Sequence, residues 1–305
     1  MYIAITGGTG LVGTALTDYF INKGHTVYIF TRSQRQSSKK NLHYIPWLTT
    51  DSSSSAAIKQ IDVFINLAGE SINSGRWTES RKSRIKQSRL MATDTVINYI
   101  KELNPKPSLL INASAIGIYG TSETKSFDET SVEYGDDFLA KTVISWEEHA
   151  KKAEEFNVKV AYARFGIILA ENGGALPKML LPYQLMIGGK IGSGKQWLSW
   201  IHIDDVVESI DFIISEQLSG VFNLTAPKPV TMNEFGQTIG KVLKKTHWLA
   251  VPSIALRILL GEMSILILEG QKVLPNRLLS NGYTFKYQTL APALQSIVSE
   301  KNSLK

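Results

Sequence analysis

Three glycines near the amino terminus, Gly7, Gly10 and Gly13, are spaced G-x-x-G-x-x-G within Thr6-Gly-Gly-Thr-Gly-Leu-Val-Gly13. Each position has a physical reason to lack a Cβ. One permits a tight turn, one lets backbone N–H groups approach a pyrophosphate, and one lets a helix pack close to a strand. Tyr2, Ile3 and Ile5 before them read as a buried strand. Leu11, Val12, Leu16, Tyr19 and Phe20 after them read as a helix that runs to Gly24. The first amides of that helix, at Leu11 and Val12, are free donors at the positive end of the helix dipole and suit an anion. Strand, turn and helix in this order predict a dinucleotide site.

The end of the next strand, His25 to Thr31, selects the dinucleotide. A carboxylate about 20 residues past the glycines would bind a ribose 2′-OH, whereas an arginine there accommodates a 2′-phosphate. This chain has Thr31-Arg32-Ser33, with Arg35 close behind and no acid nearby. Arg32 can make a charge-assisted, bidentate contact with phosphate, so the expected cofactor is NADP(H) rather than NAD(H).

These residues need a scaffold, and the 305-residue chain is long enough to bury a large core. Hydrophobic content of 43% and charged content of 20% place it among ordinary globular proteins. It has no cysteine, which excludes disulfides, thiolate nucleophiles and Cys-based metal sites and fits a reducing compartment. A core strand at the amino terminus leaves no room for a signal peptide, so the cytoplasm is expected. Ile254–Leu268 is the most apolar run, but Arg257 and Glu262 interrupt it and it is too short to cross a bilayer. The net charge of +6 is spread along the chain, with clusters only at 32–40 and 76–89 and no nucleic-acid motif. Small molecules, not nucleic acid or membrane, are the expected partners.

Polar connections at Arg32–Asn41 and Thr49–Ser55 flank a short strand, His43–Trp47. Ile61–Leu67 is a buried strand, and Thr78–Leu103 a long helix with Ile85, Met91, Val96, Ile97 and Ile100 inward. Further strands are expected at Leu109–Ser114 and Val158–Phe165, with a helix over Asp136–Phe156 between them. This alternation predicts an α/β fold, a doubly wound parallel sheet of Rossmann type with ligands at the carboxyl ends of its strands. The sheet domain is assigned to residues 1–165, and a smaller, mostly helical C-terminal lobe to 166–305. Gly220–Leu224 is expected to rejoin the sheet as a late strand, and helices are expected at Leu176–Met186, Asp204–Ser215 and Met232–Leu243. Arg164 closes its strand at the ligand edge and is a further cofactor-binding candidate.

The motifs Thr6-Gly-Gly-Thr-Gly-Leu-Val-Gly13, Asn66-Leu-Ala-Gly69, Ser114-Ala-Ile-Gly-Ile-Tyr-Gly120 and Trp200-Ile-His-Ile-Asp-Asp205 together resemble the extended short-chain dehydrogenase/reductase superfamily. Asn66-Leu-Ala-Gly-Glu-Ser-Ile, with Arg76-Trp77 and Ser88-Arg89, is similar to an atypical branch termed epimerase-family or nucleoside-diphosphate-sugar-epimerase-like. Pro252-Ser253, Glu269–Pro275 and Gly282–Phe285 resemble the terminal domain of that branch. The resemblance implies backbone contacts from Leu67, Ala68 and Gly69 to the adenosine side. It also implies contacts to the cofactor phosphates from Arg89 and Arg84, on the long helix where Arg81, Ile85 and Arg89 share a face.

Active members of the superfamily use a Tyr-x-x-x-Lys pair on the helix after the Ser-bearing strand, because a neutral tyrosine needs a neighbouring cation to act as a base. Of the 11 tyrosines only Tyr19 has a lysine four residues on, Lys23, and both lie on the first helix. The expected helix carries Lys141 but no tyrosine. The catalytic candidates are therefore Ser114, which polarises a substrate carbonyl, touches the nicotinamide or merely satisfies its own backbone, and Tyr119, which acts as an acid or packs under its loop. His202, Asp204 and Asp205 are expected to be structural, with an Asp capping the next helix, and no metal site is expected. Gly189–Lys195 nearly spells a phosphate loop, but Gln196 replaces the required hydroxyl. Two readings stay open: an NADP(H)-dependent oxidoreductase or epimerase acting on an unidentified carbonyl or hydroxyl compound, and an NADP(H)-binding regulator or scaffold without turnover.

Overall fold

A computed structural model describes residues 1–33, 35–48, 58 and 60–303, with side chains through residue 299. Seven parallel strands form one sheet: β1 (Tyr2–Thr6), β2 (Thr26–Thr31), β3 (Leu42–Pro46), β4 (Val63–Asn66), β5 (Leu109–Ala115), β6 (Lys159–Phe165) and β7 (Gly220–Leu224), in the order β7-β6-β5-β4-β1-β2-β3. The strand order reverses between β1 and β4, which opens the ligand crevice of a doubly wound sheet at their carboxyl ends.

Alternation along the strands separates two cores. Ile3 and Ile5 of β1 face helices α1 (Leu11–Asn22) and α5 (Ile203–Ser215), meeting Leu16, Phe20, Val206 and Ile210. Ala4 between them faces helices α2 (Glu79–Glu102) and α3 (Phe138–Lys151), with Phe30, Phe64, Val96, Ile100 and Ala150. Helices thus cover both faces, as a parallel sheet requires. Thr78 caps α2 at Arg81 N and Asp137 caps α3 at Ala140 N, which fixes both starts just inside the expected ones. α3 ends at Lys151 and continues to Phe156 only as a 3₁₀ turn. Met91, expected inward on α2, is 59% exposed, whereas Ile85, Val96, Ile97 and Ile100 are buried. At about 100° per residue Met91 falls roughly 240° round the helix from Ile85, opposite the stripe that Val96, Ile97 and Ile100 share. The connection expected at Thr49–Ser55 lies outside the described residues.

The C-terminal region is helical. α4 (Leu176–Gln184), α6 (Met232–Leu243) and a last helix, Leu290–Ser303, pack Leu180, Phe235, Leu294 and Ile297 around the buried Trp200. It is stitched to the sheet by Asp205, which accepts hydrogen bonds from Lys286 N (2.7 Å), Tyr287 N (3.0 Å) and the Tyr283 hydroxyl (3.2 Å). The cap of α5 is His202, not an aspartate: its Nδ1 accepts from Asp204 N at 3.1 Å. Tyr19 and Lys23 both reach Asp211, at 3.0 and 2.7 Å, and dock α1 on α5. α7 (Ser253–Leu260) has no buried residue, and no helix is long and apolar enough to cross a membrane among the described residues.

Candidate nucleotide-binding site

The glycine turn sits where β1 leaves the sheet, and a side chain would not fit there. Gly7 has φ +65°, and a Cβ on it would lie 2.9 Å from the Leu67 carbonyl carbon and oxygen. A Cβ on Gly13 would lie 2.3 Å from Gly7 O and 2.5 Å from Gly8 Cα, so turn and helix are pressed together by backbone contact. α1 opens on Gly10 with no side-chain cap, which leaves its first amides, from Leu11 and Val12 onward, for an anion. Gly8 is a fourth required glycine, because its Cβ would strike Ile29 Cγ2 of β2 at 2.7 Å.

A buried chain of side chains fixes the strand ends beside the turn. The Thr6 hydroxyl donates to Asn66 Oδ1 (2.7 Å) and accepts from Leu67 N (3.1 Å) and Ala68 N (3.2 Å). Asn66 Nδ2 in turn donates to Asn112 Oδ1 (2.7 Å) and to Thr93 Oγ1 (2.9 Å), and the Trp146 indole joins Thr93 at 3.0 Å. Thr6, Asn66 and Asn112 stand in register on β1, β4 and β5. Leu67, Ala68 and Gly69 therefore border the turn with their backbone. Thr31 is buried at the end of β2 and Arg32 beyond it is exposed. A cleft on this flank is lined by Gly8, Thr9, Thr14, Arg35, Ser37, Ser38 and Lys39.

The arginines of α2 divide by role. Arg89 donates to Glu70 O (3.1 Å) and Ile85 O (2.8 Å), lies 5.1 Å above the Trp146 ring and packs on Gly69. Burial pulls its guanidinium down to about 10. Arg81 pairs with Glu70 and donates to Ser71 O at 2.6 Å, whereas Arg84 is mostly exposed, 3.7 Å from the same carboxylate. These contacts shape the loop after β4 around Glu70.

On the other half of the crevice Ser114 and Tyr119 belong to one buried network. Ser114 (2% exposed) donates its proton to Glu147 Oε1. Arg164 (1% exposed) grips the same carboxylate through Nε and Nη2, both at 2.8 Å, and its Nη1 donates to the Tyr119 hydroxyl at 2.9 Å. Burial opposes the Arg164 charge, but Glu147 more than offsets it and holds the guanidinium above its ordinary value. Tyr119 donates to Asn223 Oδ1 at 2.9 Å, and burial raises its phenol above the usual range despite Arg164. The site thus brings Ser114, Tyr119 and Arg164 together, but every Arg164 donor nitrogen is engaged by Glu147, Tyr119 or Tyr134. The face of α3 turned to the β5 exit presents Leu139, packed on Gly117, and Val143, packed on Ile116 and Ile118. Lys141 points to solvent.

The model of the NAD dependent epimerase/dehydratase family matches residues 3–225, and that of a domain of unknown function (DUF1731) matches residues 251–297. The chain belongs to the epimerase family of extended short-chain dehydrogenases/reductases. It is 45% identical over 305 residues to Epimerase family protein YfhF of Bacillus subtilis (strain 168), covering 100% of both chains. It is 42% identical to Epimerase family protein SAR0825 of Staphylococcus aureus (strain MRSA252), covering 97% of this chain and 98% of that one. The crystal structure of human epimerase family protein SDR39U1 (isoform2) with NADPH is similar at a TM-score of 0.89 and 33% identity, over 98% of this chain and 99% of that chain.

Two residues of this epimerase-family site escaped sequence reasoning. Gly8 is marked only by following Gly7, and its need for hydrogen in place of a side chain depends on where Ile29 falls. Glu147 lies on the helix inspected for a tyrosine, but its partners Ser114 and Arg164 are 33 and 17 residues away and become neighbours only through strand register.

Proposed function

We propose that this epimerase-family chain binds NADP(H), with the pyrophosphate on the Gly7–Gly13 turn and the 2′-phosphate on Arg32. The carrying observation is the exposed Arg32 one residue past the buried end of β2, in a stretch with no carboxylate between Asp18 and Asp51. The cradle that a Cβ at Gly7 or Gly13 would fill fits a pyrophosphate held by backbone amides. Leu67, Ala68 and Gly69 border the adenosine half. Arg84, mostly exposed and held only by a 3.7 Å ion pair with Glu70, is able to turn toward a phosphate, while Arg89 shapes the loop beside it. The similar SDR39U1 was crystallised with NADPH.

When bound, the cofactor would supply hydride to a carbonyl carbon, or accept it from a hydroxyl-bearing carbon, of a small molecule handled in the cytoplasm, with the accompanying proton passing between that oxygen and water or another group of the substrate. The residues around it hold and orient rather than move protons: Tyr119 is buried and committed to Asn223, and Leu139 and Val143 occupy the α3 face. The apolar first turns of that face, ahead of Glu147, favour a second reading, in which the chain holds NADP(H) without turnover.

Fluorescence titration tests the cofactor assignment. NADPH should bind at least about tenfold more tightly than NADH, and Arg32→Ala should remove that preference, as expected for one charge-assisted phosphate contact. Equal affinities in the unaltered protein reject it. Following NADPH absorbance over carbonyl and nucleotide-sugar compounds separates the two readings, since only the oxidoreductase consumes the coenzyme.

A further inference from the structure

We propose that the surface formed by α7, Trp248 and the carboxyl end of α4 docks the protein on an anionic lipid bilayer, lying among the headgroups without crossing. The inference lies outside the nucleotide site and does not rest on it. Apart from Ser253 and Arg257, every residue of α7 is apolar, yet the helix buries none of them. At about 100° per residue, the half-buried Leu256 and Leu260 share one side of α7. Ile254 (69% exposed) and Ile258 (73%) then fall on the opposite side, with Leu259 (66%) and Arg257 on its two flanks. A surface helix ordinarily turns polar residues to water, and one that is apolar all round is buried. α7 does neither.

The apolar surface continues beyond α7. Ile191 pairs with Val251 and Trp248 N donates to Gly188 O at 3.0 Å, so residues 186–191 run beside 248–251. The Trp248 indole is 65% exposed and is tied to that seam by a 3.0 Å hydrogen bond to Met186 O. On α4, Leu181 and Leu185 are exposed four residues apart, and Lys178 shares their side of the helix. Exposed apolar side chains gathered in this way mark an interaction surface, and charge decides what covers it. Residues 172–203 carry three lysines, residues 235–261 carry three lysines and Arg257, and neither stretch has an aspartate or glutamate. The next acid along the chain, Glu262, is met by Lys82 at 3.0 Å. A second copy seated here would set cations against cations. An anionic bilayer takes the isoleucines and the tryptophan at its interface and the cations among its headgroups.

The experiment is co-sedimentation of the full chain with vesicles of phosphatidylcholine alone, and of phosphatidylcholine and phosphatidylglycerol in equal parts. The anionic vesicles should hold the protein at least about tenfold more tightly, and high salt should remove the difference. Ile258→Glu, at an exposed position where folding has little at stake, should weaken anionic binding at least about tenfold through the lost apolar contact. Arg257→Glu should weaken it by about tenfold through charge reversal. Met91→Glu, on the exposed side of α2, should bind as the unaltered protein does. Equal binding to both vesicles, or anionic binding that survives Ile258→Glu, overturns the proposal. So does a chain that ignores vesicles and elutes from gel filtration as a dimer split by Ile258→Glu, since a second copy then covers the surface. Retention on immobilised polyglutamate but not on vesicles points to an acidic protein and overturns it as well.

Discussion

Ser114 on β5 and Arg164 on β6 stand directly opposite each other and share one partner, the Glu147 carboxylate. The pairing accounts for an arginine that is almost wholly buried beside an apolar sheet. It also sets how the molecule should respond to losing either charge.

Glu147→Ala leaves the Arg164 guanidinium buried and unpaired. Truncating one partner of a buried ion pair costs roughly 3–5 kcal/mol, and urea unfolding should show a loss on that scale. Replacing both, as Glu147→Leu with Arg164→Met, should cost clearly less than the two single changes added. Strict additivity would argue against a coupled pair.

The glycine turn predicts a different failure. In Gly13→Ala the new methyl meets the Gly7 carbonyl and the Gly8 Cα, backbone atoms that cannot swing aside. Overpacking of this kind costs about 1–3 kcal/mol, so the melting temperature should fall and NADPH affinity should drop with it. Gly24→Ala is the control for NADPH affinity: φ is +81° there but no atom lies within 4 Å of the new carbon. It should lose stability through strain and keep its affinity.

His202 should make stability depend on pH. Its ring is buried against Tyr287, with centroids 4.1 Å apart, and burial holds it down at about 4 against an ordinary 6.5, although Asp204 pulls the other way and Lys286 adds to the lowering. A base with a depressed folded value binds its proton mainly in the unfolded chain between those two values. The stability from this residue is therefore complete above pH 6.5 and declines as pH falls toward 4, by roughly 3 kcal/mol in all. Urea denaturation of His202→Asn between pH 7 and 4.5 should show a flatter dependence than the unaltered protein, with Asn still able to cap α5.

Arg76 should govern the motion of α7 without governing global stability. Its guanidinium donates to Ile258 O (2.8 Å) and Leu259 O (2.9 Å) at the end of a helix that buries no residue. Arg76→Ala should change unfolding free energy by less than about 1 kcal/mol, because the contacts are exposed. Amide exchange over residues 253–260 should nevertheless accelerate several-fold. Unchanged exchange there would mean other contacts hold the helix.

The seven-stranded sheet was legible because its signals are local. Ile61–Leu67 and Leu109–Ser114 are short apolar runs bounded by turn residues, and Gly7, Gly10 and Gly13 mark the first crossover. Even the late strand Gly220–Leu224 could be read, and it pairs with β6 as the far edge. The cap at His202 was misread because aspartates are the commoner caps, whereas Asp205 was drawn inward by three donors from 283–287. The Ser114–Glu147–Arg164 cluster lay beyond reach for another reason. Nothing in the spacing of residues 114, 147 and 164 reveals that two strands and a helix bring them to one point. Arg164 was therefore read from its strand position alone, as a cofactor-binding candidate.

The hydrogen-bonded line from Thr6 through Asn66 to Asn112, Thr93 and Trp146 runs under both halves of the crevice. Peptide ladders join neighbouring strands, but this line also locks their exits and the helices above them at fixed spacing. An incoming nucleotide thus meets a floor whose shape is set beforehand, and little disorder remains to be lost when it settles.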